Sequence, residues 1–555
     1  MQKIELICVN NGCRIGAEAG ISLAELLEKL EFEQPYPILV ARVNNRYKGL
    51  GTRLYKPSTV EFFDVRHYEG YHVYQRTLSF VLQRAMKELF PERRVLIRHT
   101  LGSGFYCEFE GGEELSLKDY VVLKSRMMDI VQAALPITHG KMLTSELLSL
   151  YESYGIDTHF DLLATRPRLY STVNYLGDMP GYFHGVLAPS SAYVDKFEIT
   201  PYYNGFYVAF PERNNPDVVR PMVWLNKMFD IFHEYQSWID IMGVSTVGEL
   251  NRRVMEGDSS ELIKIAEAFH ENKIASIARD VATANTQRGV RMVLISGPSS
   301  SGKTTFSKRL GVQLRVLGYD PVLIALDDYF VERERTPRDE NGDYDYEALE
   351  AIDLEALNDH LQRLSAGESV EIPRYNFITG KRQWHERPLK LTDRSILILE
   401  GIHALNPRLT PGVDERYKFK IYISCFTSVA MDNLSRIPTT DNRMLRRMIR
   451  DNATRGSNAQ ATLERWPSVR RGEERHIFPY QENADVMFNS SLFYEISVLR
   501  ALAEPILREV PDTVGEYAEA QRMLRFLDNF TPIAPEEIPP TSLLREFIGG
   551  SSFRY

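Results

Sequence analysis

MVLISGPSSSGKTT, residues 292–305, decides the fold class of this 555-residue chain. The apolar run MVLIS reads as a buried strand, and FSKRLGVQLRVLG, which follows the motif, has the spacing of a helix. Between them Gly297-Pro298-Ser299-Ser300-Ser301-Gly302-Lys303-Thr304-Thr305 fits G-x-x-x-x-G-K-[ST]. Two glycines let the backbone wrap a phosphate chain, so that successive N–H groups and a helix N-terminus face anionic oxygens. Lys303 would then reach the β- and γ-phosphates, and the Thr304 hydroxyl would join a Mg²⁺ shell. A strand, a phosphate loop and a helix in this order predict a P-loop NTPase α/β unit.

Working outward, residues from 290 to about 500 alternate strands with helices, the pattern of a parallel sheet flanked by helices. ILILEG, 396–401, is a second buried strand and ends in Glu400, placed to help hold Mg²⁺ at the carboxyl edge of the sheet. PVLIALDDYF, 321–330, ends in Asp327 and Asp328. An acidic pair at a strand end beside a γ-phosphate suits a base that takes a proton from an attacking hydroxyl, and Asp327 is favoured. A GTPase would carry N-K-x-D after the loop, whereas both NK pairs, Asn226-Lys227 and Asn272-Lys273, precede it; LSGGQ of an ABC-type ATPase is missing too. Small-molecule phosphotransfer therefore fits better than a switch or a motor.

Composition narrows the class. The length suggests three or four domains. Apolar residues make up 43% and charged residues 25%, as in soluble globular chains. A net charge of -9 argues against coating nucleic acid by bulk positive charge. No apolar run reaches the roughly 18 residues of a membrane span, and MQKIELICVNNG lacks the layout of a secretory signal. Cys8, Cys13, Cys107 and Cys425 are scattered without C-x-x-C spacing, against a disulfide framework or a zinc cluster. A reducing, cytoplasmic setting is expected.

Residues 290–500 resemble the uridine kinase and phosphoribulokinase family, and most of all the uridine-cytidine kinases. The matching segments run in order through GPSSSGKTT, LDDYF, YDYEALEAID, IPRYNF, ILILEGI and NRMLRRMIRDNATRG. The resemblance implies an ATP- and Mg²⁺-dependent kinase acting on a nucleoside 5′-hydroxyl. By it Asp327 is the base, with Lys303 as its catalytic partner, and Asp345 binds the ribose hydroxyls. Tyr375 stacks near the base, and Glu400 joins Thr304 at Mg²⁺. Arg443, Arg446 and Arg455 belong to a lid, Arg443 toward the acceptor and the other two toward the nucleotide. Arg443, Arg446, Arg447 and Arg450 recur at helical spacing, as a lid needing always-charged donors would; a solvated basic helix has the same pattern. Two departures stand out: Tyr375-Asn376-Phe377 and then Gly380 replace Tyr-Asp-Phe and then His, and Arg455-Gly456-Ser457 replaces Arg-Gly-Arg. The first touches the base pocket and leaves the acceptor open among nucleosides and sugars.

The N-terminal half resembles something else. Residues 1–62 look like a TGS domain, a β-grasp unit in which Ser22 caps the helix LAELLEKL. Residues 63–235 look like the α+β editing domain of threonyl-tRNA synthetases, on FVLQRAMKELF, GSGFY and HGVLAPSSAYVDKF. The alignment puts Arg76, Phe80, Phe183 and Leu187 where that family has its His and Cys ligands, and none of the four can ligate zinc. His67, His72, His99 and His184 lie nearby and are expected to be satisfied or surface histidines. RNA binding, small-ligand binding and a support for assembly, including a homo-oligomer, remain as alternatives for this half. The expected order is thus 1–62, 63–235, a helical linker 236–288, the kinase-like unit 289–500 and a surface-packing extension 501–555. A rival whole-chain reading is an RNA-binding or ligand-sensing regulator gated by nucleotide.

Overall fold

The computed structural model describes residues 3–30, 34–112, 115–156, 160–166, 168–339, 342–376, 379–384 and 388–554. Phe377 of the expected base pocket falls outside them. At the N-terminus five strands form a mixed sheet in the order Arg14–Glu18, Lys3–Cys8, Ser58–Phe63, Val40–Val43, Arg46–Lys48. Two of its inner strands, Lys3–Cys8 and Ser58–Phe63, run parallel. The helix Leu23–Leu30 begins where expected. Glu25 N–H donates to Ser22 Oγ at 3.1 Å and Ser22 N–H to Glu25 Oε2 at 2.7 Å, a reciprocal cap of otherwise orphaned donors.

The next region pairs a four-stranded antiparallel sheet (Glu198–Tyr202, Gly205–Ala209, Gly104–Phe109, Val95–Thr100) with the helices Tyr68–Leu89 and Leu117–Gln132. Phe80, Leu123 and Phe206 share its apolar core. Beyond it the helix Asn226–Met242 spans the boundary expected at 235, because its apolar spacing starts ten residues earlier than the sequence division. The helix Ser259–Arg288 follows and stops at Gly289, whose φ of 73° is the left-handed conformation of a helix C-terminus.

The third region is a five-stranded parallel sheet in the order Asp320–Ala325, Ser395–Glu400, Met292–Ser296, Lys418–Ser424, Val486–Asn489. Every residue of the central strand Met292–Ser296 is buried, as a strand covered on both faces requires. The chain leaves that strand first toward one edge and later toward the other, which opens a crevice at the carboxyl ends beside it. Ile277 and Val281 of the long helix pack with Phe306 and Leu310 of the helix Lys303–Val316 on one face.

The last fifty residues depart from expectation. They are not a surface layer: Leu543 and Leu544 are fully buried and Phe547 is 2% exposed. The stretch TPIAPEEIPP, residues 531–540, cannot form a helix and carries the chain from the helix Tyr517–Leu527 back to the phosphate loop. One apolar cluster unites Leu147, Tyr151 and Tyr182 of the second region with Met444, Leu445 and Phe526 of the last two. No described helix is long and apolar enough to cross a membrane.

Candidate active site

The loop 297–302 follows the buried central strand and turns into the helix Lys303–Val316. A side chain at Gly297 would place its Cβ 1.9 Å from the Ile423 carbonyl oxygen of the neighbouring strand, so only glycine permits this approach. Ser300 (φ 59°) and Gly302 (φ 82°) are left-handed. Ser300 and Ser301 are buried, and Pro298 O accepts from Lys303 Nζ at 3.1 Å.

Acids gather at the mouth of the loop. Thr304 Oγ1 donates to Glu400 Oε1 at 2.8 Å, joining the helix start to the end of the strand Ser395–Glu400. Burial pushes the Glu400 carboxyl up to about 7, with Lys303 opposing and Asp327 reinforcing the shift. Burial likewise pulls the Lys303 ammonium below its ordinary range, against Glu400 and Asp327, which hold it up. Asp327 lies in the turn Leu326–Tyr329 and is within electrostatic reach of Lys303, Glu400 and Glu347. Arg382 fixes that turn: it donates to Phe330 O at 2.8 Å and Tyr329 O at 2.9 Å, and pairs with Asp353 at 2.9 Å. Asp328 points elsewhere, its Oδ1 accepting from Tyr375 N–H at 3.2 Å. The oxygen donors Thr304 and Glu400 suit Mg²⁺, a hard cation that takes one or two carboxylates plus substrate phosphates.

The structure divides the remaining expected site residues. Asp345 Oδ1 accepts from Glu347 N–H at 3.0 Å and so shapes a turn. Glu347 of the same segment lies within electrostatic reach of Asp327, Lys303 and Arg447; its carboxyl is raised by burial and by Asp327 and Asp345, with Arg447 and Lys303 opposing. Glu347 lies two residues beyond Asp345 in YDYEALEAID, and four neighbouring acids hid it in the sequence. Tyr375 is buried, on the strand Pro373–Asn376, with its ring 5.6 Å from that of Phe330.

Arg443 and Arg446 do not stand in a lid. Both lie on the helix Thr439–Thr454 and are 1% and 0% exposed. Arg443 pairs with Glu473 and donates from Nε to Ser299 O at 2.9 Å. Arg446 pairs with Glu495 and donates to Ser490 O at 2.8 Å. A buried guanidinium needs a carboxylate to offset lost hydration, and these two found theirs behind the loop. They buttress it from the rear. On the same helix Arg447 reaches Ser299 Oγ at 2.9 Å, and Asp451 gathers Arg447 at 3.3 Å, Arg450 at 2.8 Å and Arg455 at 3.6 Å. Arg455 is 42% exposed and within electrostatic reach of Asp327.

In the N-terminal half, Phe80 meets Phe183, and Arg76 reaches the backbone next to Leu187. The Phe80 and Phe183 rings are 4.8 Å apart, and Arg76 donates to Val186 O at 3.0 Å while pairing with Glu69 at 2.6 Å. An aromatic contact and an ion pair fill the place. Burial pulls the nearby His67 down to about 4 and His184 to about 3, so both are neutral near pH 7. Among the described residues no cluster of three or more His, Cys, Asp or Glu side chains is placed to hold a metal ion.

Comparison with known proteins places part of this chain in a family. Residues 292–495 match the Phosphoribulokinase / Uridine kinase family. A uridine kinase of Shewanella amazonensis is 32% identical over 207 residues, 37% of this chain and 88% of that protein. A uridine kinase of Halobacterium salinarum is 28% identical over 194 residues, 35% of this chain and 77% of that one. Among solved structures, a possible uridine kinase from Bacillus stearothermophilus aligns at 24% identity and a TM-score of 0.28, over 39% of this chain and 98% of that chain. The phosphate loop and its acids thus belong to a P-loop kinase region. Through it the chain belongs to the phosphoribulokinase and uridine kinase family, whose homology supports a phosphotransferase.

Proposed function

We propose that the chain transfers the γ-phosphoryl group of ATP to the 5′-hydroxyl of a nucleoside, uridine or cytidine first. The observation that carries this reading is the convergence of Lys303, Asp327 and the Thr304–Glu400 pair on the glycine loop. Asp327 would orient the acceptor hydroxyl and take its proton as oxygen attacks phosphorus. The bond from Pγ to the β-bridging oxygen would break, and ADP would leave. Lys303 and the arginines gathered by Asp451 would offset charge spreading over the transferring group, in a site where such charges act through little water. Mg²⁺, when bound, supplies further neutralisation of the β- and γ-phosphates, and Thr304 and Glu400 are the residues that would hold it. Glu347 joins Asp345 as a proposed ligand of the ribose hydroxyls, because it is buried within electrostatic reach of Asp327.

The domain division follows this reading, with 289–500 as the catalytic unit, 1–62 as a TGS-like unit and 63–235 as an editing-like unit without hydrolytic residues. The test is a panel of nucleosides and sugar phosphates offered with radiolabelled ATP. Labelled nucleoside monophosphate is expected; label on a sugar phosphate alone would replace the acceptor, and no label on any of them would remove the kinase reading.

A further inference from the structure

The phosphate loop is already in contact with an anion of its own chain. Glu546, on the short helix Arg545–Ile548, places Oε2 2.6 Å from Thr305 Oγ1 and 3.1 Å from Thr305 N, and both donate to it. Thr305 lies in the first turn of the helix Lys303–Val316, where backbone N–H groups lack partners within the helix and favour negative charge. That is the place where a P-loop meets the phosphates of its nucleotide. The tail is held there by more than one carboxylate: Phe547 lies beneath the Arg446 guanidinium, 4.9 Å from its ring centroid, and Leu543 packs against Gly302. Lys308 of the loop's helix donates to the Arg554 carbonyl oxygen nearer the C-terminus.

Besides Glu400, two carboxylates touch the loop and the first turn of its helix, and they differ. Glu473 accepts from Ser299 N–H at 3.3 Å, is fully buried and is clamped by Arg443 and Arg470. It is part of the wall. Glu546 reaches the loop from 241 residues away in sequence, on a four-residue helix that Gly549 and Gly550, both with positive φ, separate from the chain end.

We infer that the C-terminal segment 541–554 is an autoinhibitory strap in which the Glu546 carboxylate stands in for a nucleotide phosphate and must be displaced when a nucleoside triphosphate binds. This rests on the nucleotide reading of the loop given above. Because one anion replaces another, the strap sets affinity without changing the chemistry that follows. It also keeps the amide and hydroxyl of Thr305 satisfied while the loop is empty.

The test compares the full chain with Glu546→Gln, binding MgATP and, separately, inorganic tripolyphosphate by calorimetry. Glutamine keeps the shape and removes the charge. The expected result is tighter binding of both ligands, about tenfold, the size of one displaced charge-assisted contact. The variant without ligand should also melt at a lower temperature than its parent. Should the glutamine variant not fold, Glu546→Asp, one methylene shorter, is expected to shift affinity in the same direction. Binding by the parent that the substitution leaves unchanged or weakens overturns the strap alone. No binding by either form overturns the nucleotide reading, and the strap with it.

Discussion

Two places in this molecule bring side chains from separate segments together, and only one of them assembles charge and oxygen donors. At the glycine loop Lys303, Thr304, Asp327 and Glu400 bring charge and oxygen donors to one point. Around Phe80 and Phe183, side chains from a helix and a loop meet just as closely, and what meets is two rings and an arginine already paired. Shape is maintained by packing, which accepts many residue types of similar volume. Reactivity depends on particular atoms and vanishes when they are replaced. A resemblance in fold is therefore weaker ground for an activity than the side chains standing at the site.

That contrast can be broken or sharpened by experiment. The largest effect belongs to Asp327→Asn, expected to lower turnover by about 10²–10⁴ while leaving ATP affinity nearly intact, read in a coupled ADP-release assay. Equal rates for variant and parent would take Asp327 out of the mechanism. Lys303→Ala should lower kcat by roughly 10²–10³ and weaken triphosphate binding as well, since its ammonium serves both. Arg446→Met tests the rear wall. Removing one partner of a buried pair leaves Glu495 uncompensated, and chemical denaturation is expected to show a loss of about 3–5 kcal/mol. If Arg446 were a mobile lid residue, stability would hold and only kinetics would change.

Phe80→Ala makes the opposite case in the N-terminal half. It should cost about 3 kcal/mol of stability with kcat unchanged at temperatures where the variant is folded. A specific loss of activity would give that half a chemical part it is not assigned here. In pH dependence the two regions have opposite signs. His184, held near 3, stays neutral in the fold but gains a proton when unfolded, so its contribution is present above about pH 6.5 and is lost as pH falls toward 3. Glu400, raised to about 7, is protonated more readily in the fold, so its contribution is present below about pH 4.5 and is lost as pH rises through 7. Melting curves from pH 4 to 8 should show His184→Gln flattening the acid limb and Glu400→Gln stabilising the protein above pH 7, on the order of 1 kcal/mol per pKa unit for the latter.

How much could be read from the chain alone follows from how local each feature is. The glycine loop, the strand ends at Asp327 and Glu400 and the Ser22 cap depend on residues a few positions apart, and their spacing carried the message. Arg443 and Arg446 share a helical spacing with Arg447 and Arg450, so the pattern could not tell a guanidinium turned toward Glu473 or Glu495 from one facing the cleft. Glu347 was masked by acids on either side. Glu546 gave no signal at all, because its partner Thr305 is distant along the chain and the last fifty residues read as a surface-packing extension. Contacts made across hundreds of residues leave no period in a sequence.

The apolar cluster that joins Leu147 and Tyr151 to Met444 and Phe526 has a practical corollary. Cutting the gene between the two halves would tear open a single oily seam rather than separate two finished pieces, and each fragment would expose a sticky face to solvent. A calorimeter should record these regions melting together, and questions about RNA or any other guest of the N-terminal half are best put to the undivided polypeptide.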